Sequence, residues 1–489
     1  MSDDSLAQLR RDLAQLVGRQ IESTGRALGA RAFVAGLAVT LPDGSRRPIP
    51  IGAIPVVIDD AEVEARNRIA ALLVAATSKA ARWRLAGAER AATLAALSPA
   101  EQRLVLATAG RPTDVAVARV DFLGSAALEV NATIPAMQGY SDIAAASWLE
   151  QYAPASDLDD LRRRNGRNSA ALLDALLALH AAARSGPPER IGLLCRRGDS
   201  QLSEIVHLQR SFSAAGHDCA IVHPDELELA HGYLLHRGAR LSLVYRHLFL
   251  HRLDAAPSAA VEAAITQPAG HGTLLLNGPA PHLEMKSTLA LLSAAASDDA
   301  GANRLQLTQE ERRAVATHVP WTRRLAQLDA RERAEVEATP DRFVLKRSWS
   351  YGGHDVFVGR ARDSAEFRER SRRSFADARD WVELCRAAAD DLRGDGFIVQ
   401  RAVEASRAPQ LLCTPAGVQR GEVVTDYAAY ATLGATPAWT GVCRAAASDI
   451  VNIVGGGGVV PLLRRSVAER VLSDAAPHGP DPGASADAR

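Results

Sequence analysis

Arg119, Asp121, Glu129 and Asn131 stand together in the stretch RVDFLGSAALEVNATIP, which otherwise reads as buried strand. Side chains alternate along a strand, so Glu129 and Asn131 share a face while Leu128 and Val130 turn into packing. Leu123-Gly124-Ser125 has the composition of a hairpin turn, which returns Asp121 beside that pair with Arg119 on the same face as Asp121. Three oxygen donors with one guanidinium nearby suit a hard cation whose shell is completed by phosphate oxygens, as Mg²⁺ is held in nucleotide enzymes. Without a cation, paired carboxylates in an apolar setting cost several kcal/mol or titrate to neutral. The competing reading is an Arg119–Asp121–Glu129 ion-pair cluster at a strand end.

A second set of residues suits phosphate. In FVLKRSWSYGGHDVFVG, Val344 and Leu345 on one side and Val356 and Val358 on the other bracket a loop containing Gly352 and Gly353. Backbone N–H groups in such a loop can wrap phosphate oxygens, and glycine permits close approach. Lys346 lies on the strand feeding the loop, within reach of α- and β-phosphates. The stretch is neither a P-loop nor a dinucleotide fingerprint. In DGFIVQRAVEA a strand ends on Gln400, with Glu404 beyond it, and either can meet an adenine edge or a ribose; an edge strand turning into solvent fits equally well. Of the 57 basic residues only Lys79, Lys286 and Lys346 are lysines. A lysine in so arginine-rich a chain marks a place needing a compact ammonium rather than a planar fork, unless the three are chance survivors.

The elements that must carry these residues alternate in type. Ser5–Leu28 has helical spacing, 32–40 is read as a strand, and 47–58 is strand-like. Ala-rich helices precede the strands 115–122 and 126–131. From Arg190 the pattern becomes IGLLC strand, helix ending on Gly216, and HDCAIVHP strand, a βαβ unit. LSLVYRHL and TLLLNGP extend its sheet. HLEMKSTLALLSAAAS is read as one helix, Thr308 starts another, and 363–392 is a charged helix. VNIVGGGGVVPLL reads as strand, glycine loop, strand, and the Pro/Gly/Ala/Asp-rich end as a disordered tail.

Composition sets outer limits. The chain has 489 residues, a formal net charge of +0, 47% hydrophobic and 23% charged residues. That length calls for two or three domains, and the balance gives no long-range pull toward nucleic acid or anionic membrane. No signal core and no run of roughly 18 apolar residues is found, so a cytoplasmic location is expected. The odd number of cysteines (Cys195, Cys219, Cys385, Cys413, Cys443) lacks metal spacing and reads as reduced and buried.

RVDFLGSAALEVNATIP resembles the R-x-D-F…E-x-N-x-x-P segment of ATP-grasp ligases. FVLKRSWSYGGHDVFVG resembles their lysine strand and glycine-rich loop, and HLEMKSTLALL the helix carrying their other ATP lysine. Here the magnesium-type segment comes first, an order that resembles the circularly permuted ATP-grasp group, as do HVPWTRRL and NIVGGGGVVPLL. The resemblance runs from about Pro42 to Leu463. It implies an α+β fold, an ATP-grasp core in circularly permuted order with a Rossmann-like middle domain. The implied units are a magnesium-binding half at 1–151, the Rossmann-like domain at 187–285, a helical connector at 286–340, a phosphate- and adenine-binding half at 341–470, and the tail at 475–489. It further implies ATP and Mg²⁺ as cofactors. Lys286 and Lys346 would hold the phosphates, with Gly352, Gly353 and His354 closing over them. Gln400 would sit at the adenine hinge and Glu404 near the ribose. Asp121, Glu129 and Asn131 would bind Mg²⁺, Arg119 would face the transferring phosphate, and Arg444 would contact substrate or phosphate.

The activity implied is ligation of a small-molecule carboxylate to an amine, or less readily a thiol, through an acyl phosphate, with no nucleic acid or membrane partner and a homodimer left open. The competing function is a catalytically silent ATP-binding subunit of an assembly. A nucleotide-sugar glycosyltransferase reading of the βαβ region ranks last, since it lacks a D-x-D metal site. On the ligase reading, Asp121→Asn and Glu129→Gln should both abolish ADP formation and leave the melting temperature nearly unchanged.

Overall fold

The structure, a computed structural model, describes residues 3–109, 111, 115–268, 270–433, 438–453 and 455–475. Ala475 closes the final helix, and the rest of the expected tail, 476–489, lies outside the described residues. No helix among the described residues is long and apolar enough to cross a membrane.

A seven-stranded sheet carries the first group of candidate residues. Its order is Arg407–Thr414, Ile51–Gly52, Gly458–Val460, Val442–Ala446, Gly417–Ala431, Ala118–Leu123 and Ala126–Asn131, and the first strand also pairs with Gly417–Ala431. Strand Ala118–Leu123 is therefore interior to the sheet. Its Ala118, Val120 and Phe122 pack in a core with Ala127, Val130 and Ala429, leaving the alternate residues Arg119 and Asp121 to the other face. Across the hairpin, Arg119 faces Asn131 and Asp121 faces Glu129, with a bulge between Asp121 and Phe122. Gly124 makes the turn in the left-handed region, at φ +59°.

The second group lies on a four-stranded antiparallel sheet ordered Thr322–Arg324, Phe397–Arg401, Phe343–Arg347, Val356–Val358. Leu345, Val399, Phe343 and Phe397 fill its core with Trp381 and Leu384 from a covering helix. A third sheet, Leu274–Leu276, Leu243–His247, Ile191–Cys195 and Cys219–Val222, is parallel throughout. Its central strand is buried at every residue, as continuous apolar runs predict. All five cysteines are free and buried.

Several boundaries differ from the sequence reading. The first helix runs Asp3–Ala35 and takes in the first part of the segment read as a strand; only Ala38–Thr40 is extended. Its stripe of Leu6, Leu9, Leu13, Val17, Ile21, Leu28 and Ala32 is buried, and Gly36, at φ +114°, follows the last turn. The lysine helix is two pieces, Pro281–Glu284 and Lys286–Ala296, because Met285 adopts φ −57°, ψ 120°. The charged segment 363–392 is likewise two helices, Ala365–Ser374 and Trp381–Asp390. Residues 451–453 are not strand. Strands from 407 to 460 join the sheet of the 118–131 hairpin rather than the sheet of Lys346.

Helix Asp3–Ala35 crosses the 407–431 hairpin at Gly25 and Gly29. A Cβ on Gly29 would sit 2.3 Å from the backbone carbon of Thr414, whereas one on Gly18 would meet nothing within 4 Å. Gly29→Ala is expected to lower the unfolding free energy by about 1–3 kcal/mol. Gly18→Ala, in the same helix, should raise it by about 0.8 kcal/mol through helix propensity. Urea unfolding of the two variants checks both.

Candidate active site

Asp121 is 3% exposed, and both its oxygens are engaged. Arg119 donates to them through Nε at 2.6 Å and Nη2 at 3.0 Å, and Arg444 donates to Oδ2 through Nη2 at 2.9 Å. Arg444 also grips Asp426, its cross-strand neighbour, through Nε at 3.0 Å and the backbone N–H at 2.9 Å. Burial alone would push the Asp121 carboxyl up, but the charges of Arg119 and Arg444 outweigh it and hold the group well below the usual range. Burial also dominates at Asp426, where Arg444 only partly offsets it and the pKa is raised. The competing ion-pair reading of this segment is thus realised in part: Asp121 pairs with arginine, while Glu129 does not.

Both site lysines reach the edge strand of the same hairpin. Lys286 Nζ lies 3.5 Å from Glu129 Oε2 and donates to the Ser350 carbonyl at 2.8 Å. Lys346 Nζ lies 3.4 Å from the Leu128 carbonyl and donates to Gln400 Oε1 at 2.7 Å. Gln400 in turn donates to Thr322 Oγ1 at 3.1 Å. The antiparallel register explains this link: Val344 faces Gln400 and Lys346 faces Ile398, so Lys346 and Gln400 are diagonal neighbours on one face. Burial lowers the Lys346 pKa to about 8; Glu129 resists that shift and Lys286 adds to it. Lys79, the third lysine, lies elsewhere and pairs with Glu311 at 2.7 Å.

Glu284 supports the turn after Asn131. One carboxylate oxygen accepts the backbone N–H of Ala132 at 2.5 Å and also that of Thr133. Burial raises its pKa to about 7 despite those bonds. Gly352 and Gly353 take left-handed φ values of 71° and 74°, and Asn452 Nδ2 donates to the Gly352 carbonyl at 2.6 Å. The neighbouring Tyr351 ring stacks on Phe249 with centroids 4.9 Å apart, tying the loop to the parallel-sheet region.

These groups line one cavity of about 580 Å³. Arg119, Asp121, Glu129, Asn131, Lys286, Lys346, Gly352, Gly353, His354, Gln400 and Arg444 all face it. Glu404 is exposed and is not among the lining residues. Asp426 and Asn452 line it and were not singled out from the sequence. The signal for Asp426 was present, since it is a lone carboxylate in the apolar strand VVTDYAAYA, the same anomaly that marks Asp121. Nothing marked Asn452, whose part depends on where the glycine loop folds.

The donor set bears on a metal. Among the described residues, no three His, Cys, Asp or Glu side chains are grouped as a metal cage. Glu129, whose side chain is 32% exposed, and Asn131 offer oxygens at the cavity wall. They fit a hard cation that draws its remaining ligands from phosphate and water.

No family model matches the sequence, and no curated protein does. Solved structures do match. A glutathione synthetase-like effector from Globodera pallida, in its apo form, is 10% identical with a TM-score of 0.53, over 91% of this chain and 97% of that one. A putative gamma-glutamylcysteine synthetase from Methylobacillus flagellatus is 11% identical with a TM-score of 0.34, over 75% of this chain and 81% of that one. The likeness to the first extends over nearly the full length of both chains and concerns the fold alone, a mixed α/β architecture.

Two measurements follow from the electrostatics. Arg444→Ala leaves Asp121 and Asp426 short of a buried partner and should cost about 3–5 kcal/mol. Asp121→Asn should also lower the melting temperature, contrary to the expectation from sequence, whereas Glu129→Gln should leave it unchanged. For Lys346, the folded value of about 8 lies below the ordinary 10.5, so the charged form is penalised in the fold. That penalty is full below pH 8 and fades between pH 8 and 10.5. Lys346→Met should therefore be more stable than the wild type by about 1–2 kcal/mol at pH 7, with the gain shrinking toward pH 10.5 in urea titrations.

Proposed function

We propose that this protein is an ATP-dependent ligase that joins a carboxylate to an amine through an acyl phosphate, on an ATP-grasp core in circularly permuted order. The observation that carries this reading is the meeting of Lys286 and Lys346 with the Leu128–Glu129 edge of the Arg119–Asn131 hairpin, around one cavity. Segments so far apart in the chain supply cations on one wall and oxygen donors on the other, as a nucleotide triphosphate with a divalent metal requires.

The residues take these parts. Lys286 and Lys346 offset phosphate charge, and Gln400 and the Leu128 carbonyl hold the Lys346 ammonium in place. The backbone at Gly352 and Gly353 admits phosphate oxygens, with His354 beside them. Glu129 and Asn131 would hold Mg²⁺, which would supply positive charge against the phosphates. Asp121 fixes two guanidiniums, and Arg119 and Arg444 then present charge toward the transferring group. The substrate carboxylate attacks the γ-phosphorus and ADP leaves; the amine nitrogen then attacks the acyl carbon and phosphate leaves with the C–O bond electrons. The chain needs no nucleophile of its own for either step.

The order of segments supports the permuted reading: the oxygen-donor hairpin precedes both lysines in the chain. Arg465 Nη2 donates to Ser5 Oγ at 2.9 Å, so the first and last described helices meet, a geometry that lets a chain be reopened elsewhere without loss of the fold.

The test is ADP release from the purified chain with ATP, Mg²⁺ and panels of amino acids, peptides and polyamines, with products read by mass spectrometry. At least one acid–amine pair should release ADP in step with a product joined by loss of water, and Glu129→Gln should lower that rate at least 100-fold. ATP bound without ADP release under every pair supports the silent-subunit reading, and undiminished turnover in Glu129→Gln removes the metal assignment.

A further inference from the structure

A second cavity, of about 660 Å³, opens between helices Asp60–Ala86, Pro99–Thr108 and Asn168–Ala183 and the Leu274–Leu276 edge of the parallel sheet. It shares no lining residue with the first cavity. Its described lining contains the four arginines Arg82, Arg90, Arg111 and Arg184, and no Asp or Glu. Arg111 and Arg184 donate to backbone carbonyls, Arg111 to those of Thr266 and Gln267 and Arg184 to those of His271 and Gly272. Among the described residues neither makes an ion pair. Arg82 and Arg90 are exposed at the rim, and their side chains make no hydrogen bond or ion pair among the described residues. The walls are apolar, with Leu85, Val105, Leu179, Ile265 and Leu275.

A separate observation points to an occupant. His282, 6% exposed, lines this cavity, and its Nδ1 is buried with no hydrogen-bond partner. Burial lowers the pKa of its ring to about 3, so it is a neutral group able to share one more hydrogen bond. A buried polar atom left unpaired is unfavourable. Gln267 Oε1, also on the lining, is unpaired as well.

We propose that this cavity binds a small organic anion with an apolar body, its carboxylate or phosphate held by Arg82 and Arg90 and its body by the leucine-rich wall beside His282. The described lining holds four arginines and no acid, and guanidiniums take carboxylate and phosphate through paired N–H bonds. The volume is that of a small-molecule site. The site also adjoins the first cavity: Pro281–Glu284 presents His282 to this one and Glu284 to the other. The inference does not rest on the ligase reading.

The probe is anilinonaphthalene sulfonate, a single negative charge on an aromatic body, titrated by fluorescence into the full chain. Arg82→Glu with Arg90→Glu should weaken binding at least tenfold, while Lys346→Met should leave it within twofold. Arg90→Gln alone, expected to weaken it about threefold, serves if the double variant does not fold. Decanoate and naphthyl phosphate as competitors distinguish a carboxylate from a phosphate ligand, and displacement by either supports the site. Binding indifferent to the arginine changes, binding lost in Lys346→Met, or equal displacement by inorganic phosphate would each overturn it.

Discussion

The Asp121 carboxylate, buried between two guanidiniums, is the constraint on which the site depends. Three charged groups out of water are tolerable only if each finds its partners, and here the partners come from positions 119, 426 and 444. The arrangement fixes the register of three neighbouring strands, because a slip of one residue would turn Asp121, Asp426 and Arg444 into the apolar core. Buried ion clusters are weak sources of stability. This one is better understood as a specifier: it forces the catalytic-looking faces of separate segments to align.

The two lysines complete that alignment from the opposite wall. Each ammonium is held by carbonyl and amide oxygens, with Glu129 the one carboxylate in an ion pair with either among the described residues: Ser350 and Glu129 for Lys286, Leu128 and Gln400 for Lys346. Neutral acceptors hold an ammonium without cancelling its charge, which keeps it available to an anion. The lowered pKa of Lys346 is the physical cost of keeping such a group in a dry cleft, and perturbed groups of this kind gather at functional sites.

Much of this was legible in the sequence, for reasons that can be named. The 119–131 segment broke the rule that buried strands are apolar, and period-two alternation then told which of its residues shared a face. Lys286 and Lys346 stood out because the chain otherwise uses arginine. What could not be read was partnership. Nothing local says that Asp121 faces Arg444, 323 positions away, so the guanidiniums that take its oxygens could not be read from the sequence. Asp426 carried the right anomaly but had no motif around it. Glu404 looked suitable because it follows Gln400 closely, yet the strand ends at Arg401 and leaves Glu404 exposed. The break at Met285 was hidden in a pattern with helical spacing on both sides.

Strand Ile51–Gly52 pairs with Arg407–Thr414 on one side and, in parallel, with Gly458–Val460 on the other. During synthesis the 118–131 hairpin must likewise wait, its inner edge unpaired, until strand Gly417–Ala431 has been made. Such long-range pairing makes for slow folding and an interval in which sticky strand edges are open to other chains. The charges at Arg119, Asp121 and Glu129 then have a second use: before the cleft exists, they make that waiting hairpin a poor template for aggregation.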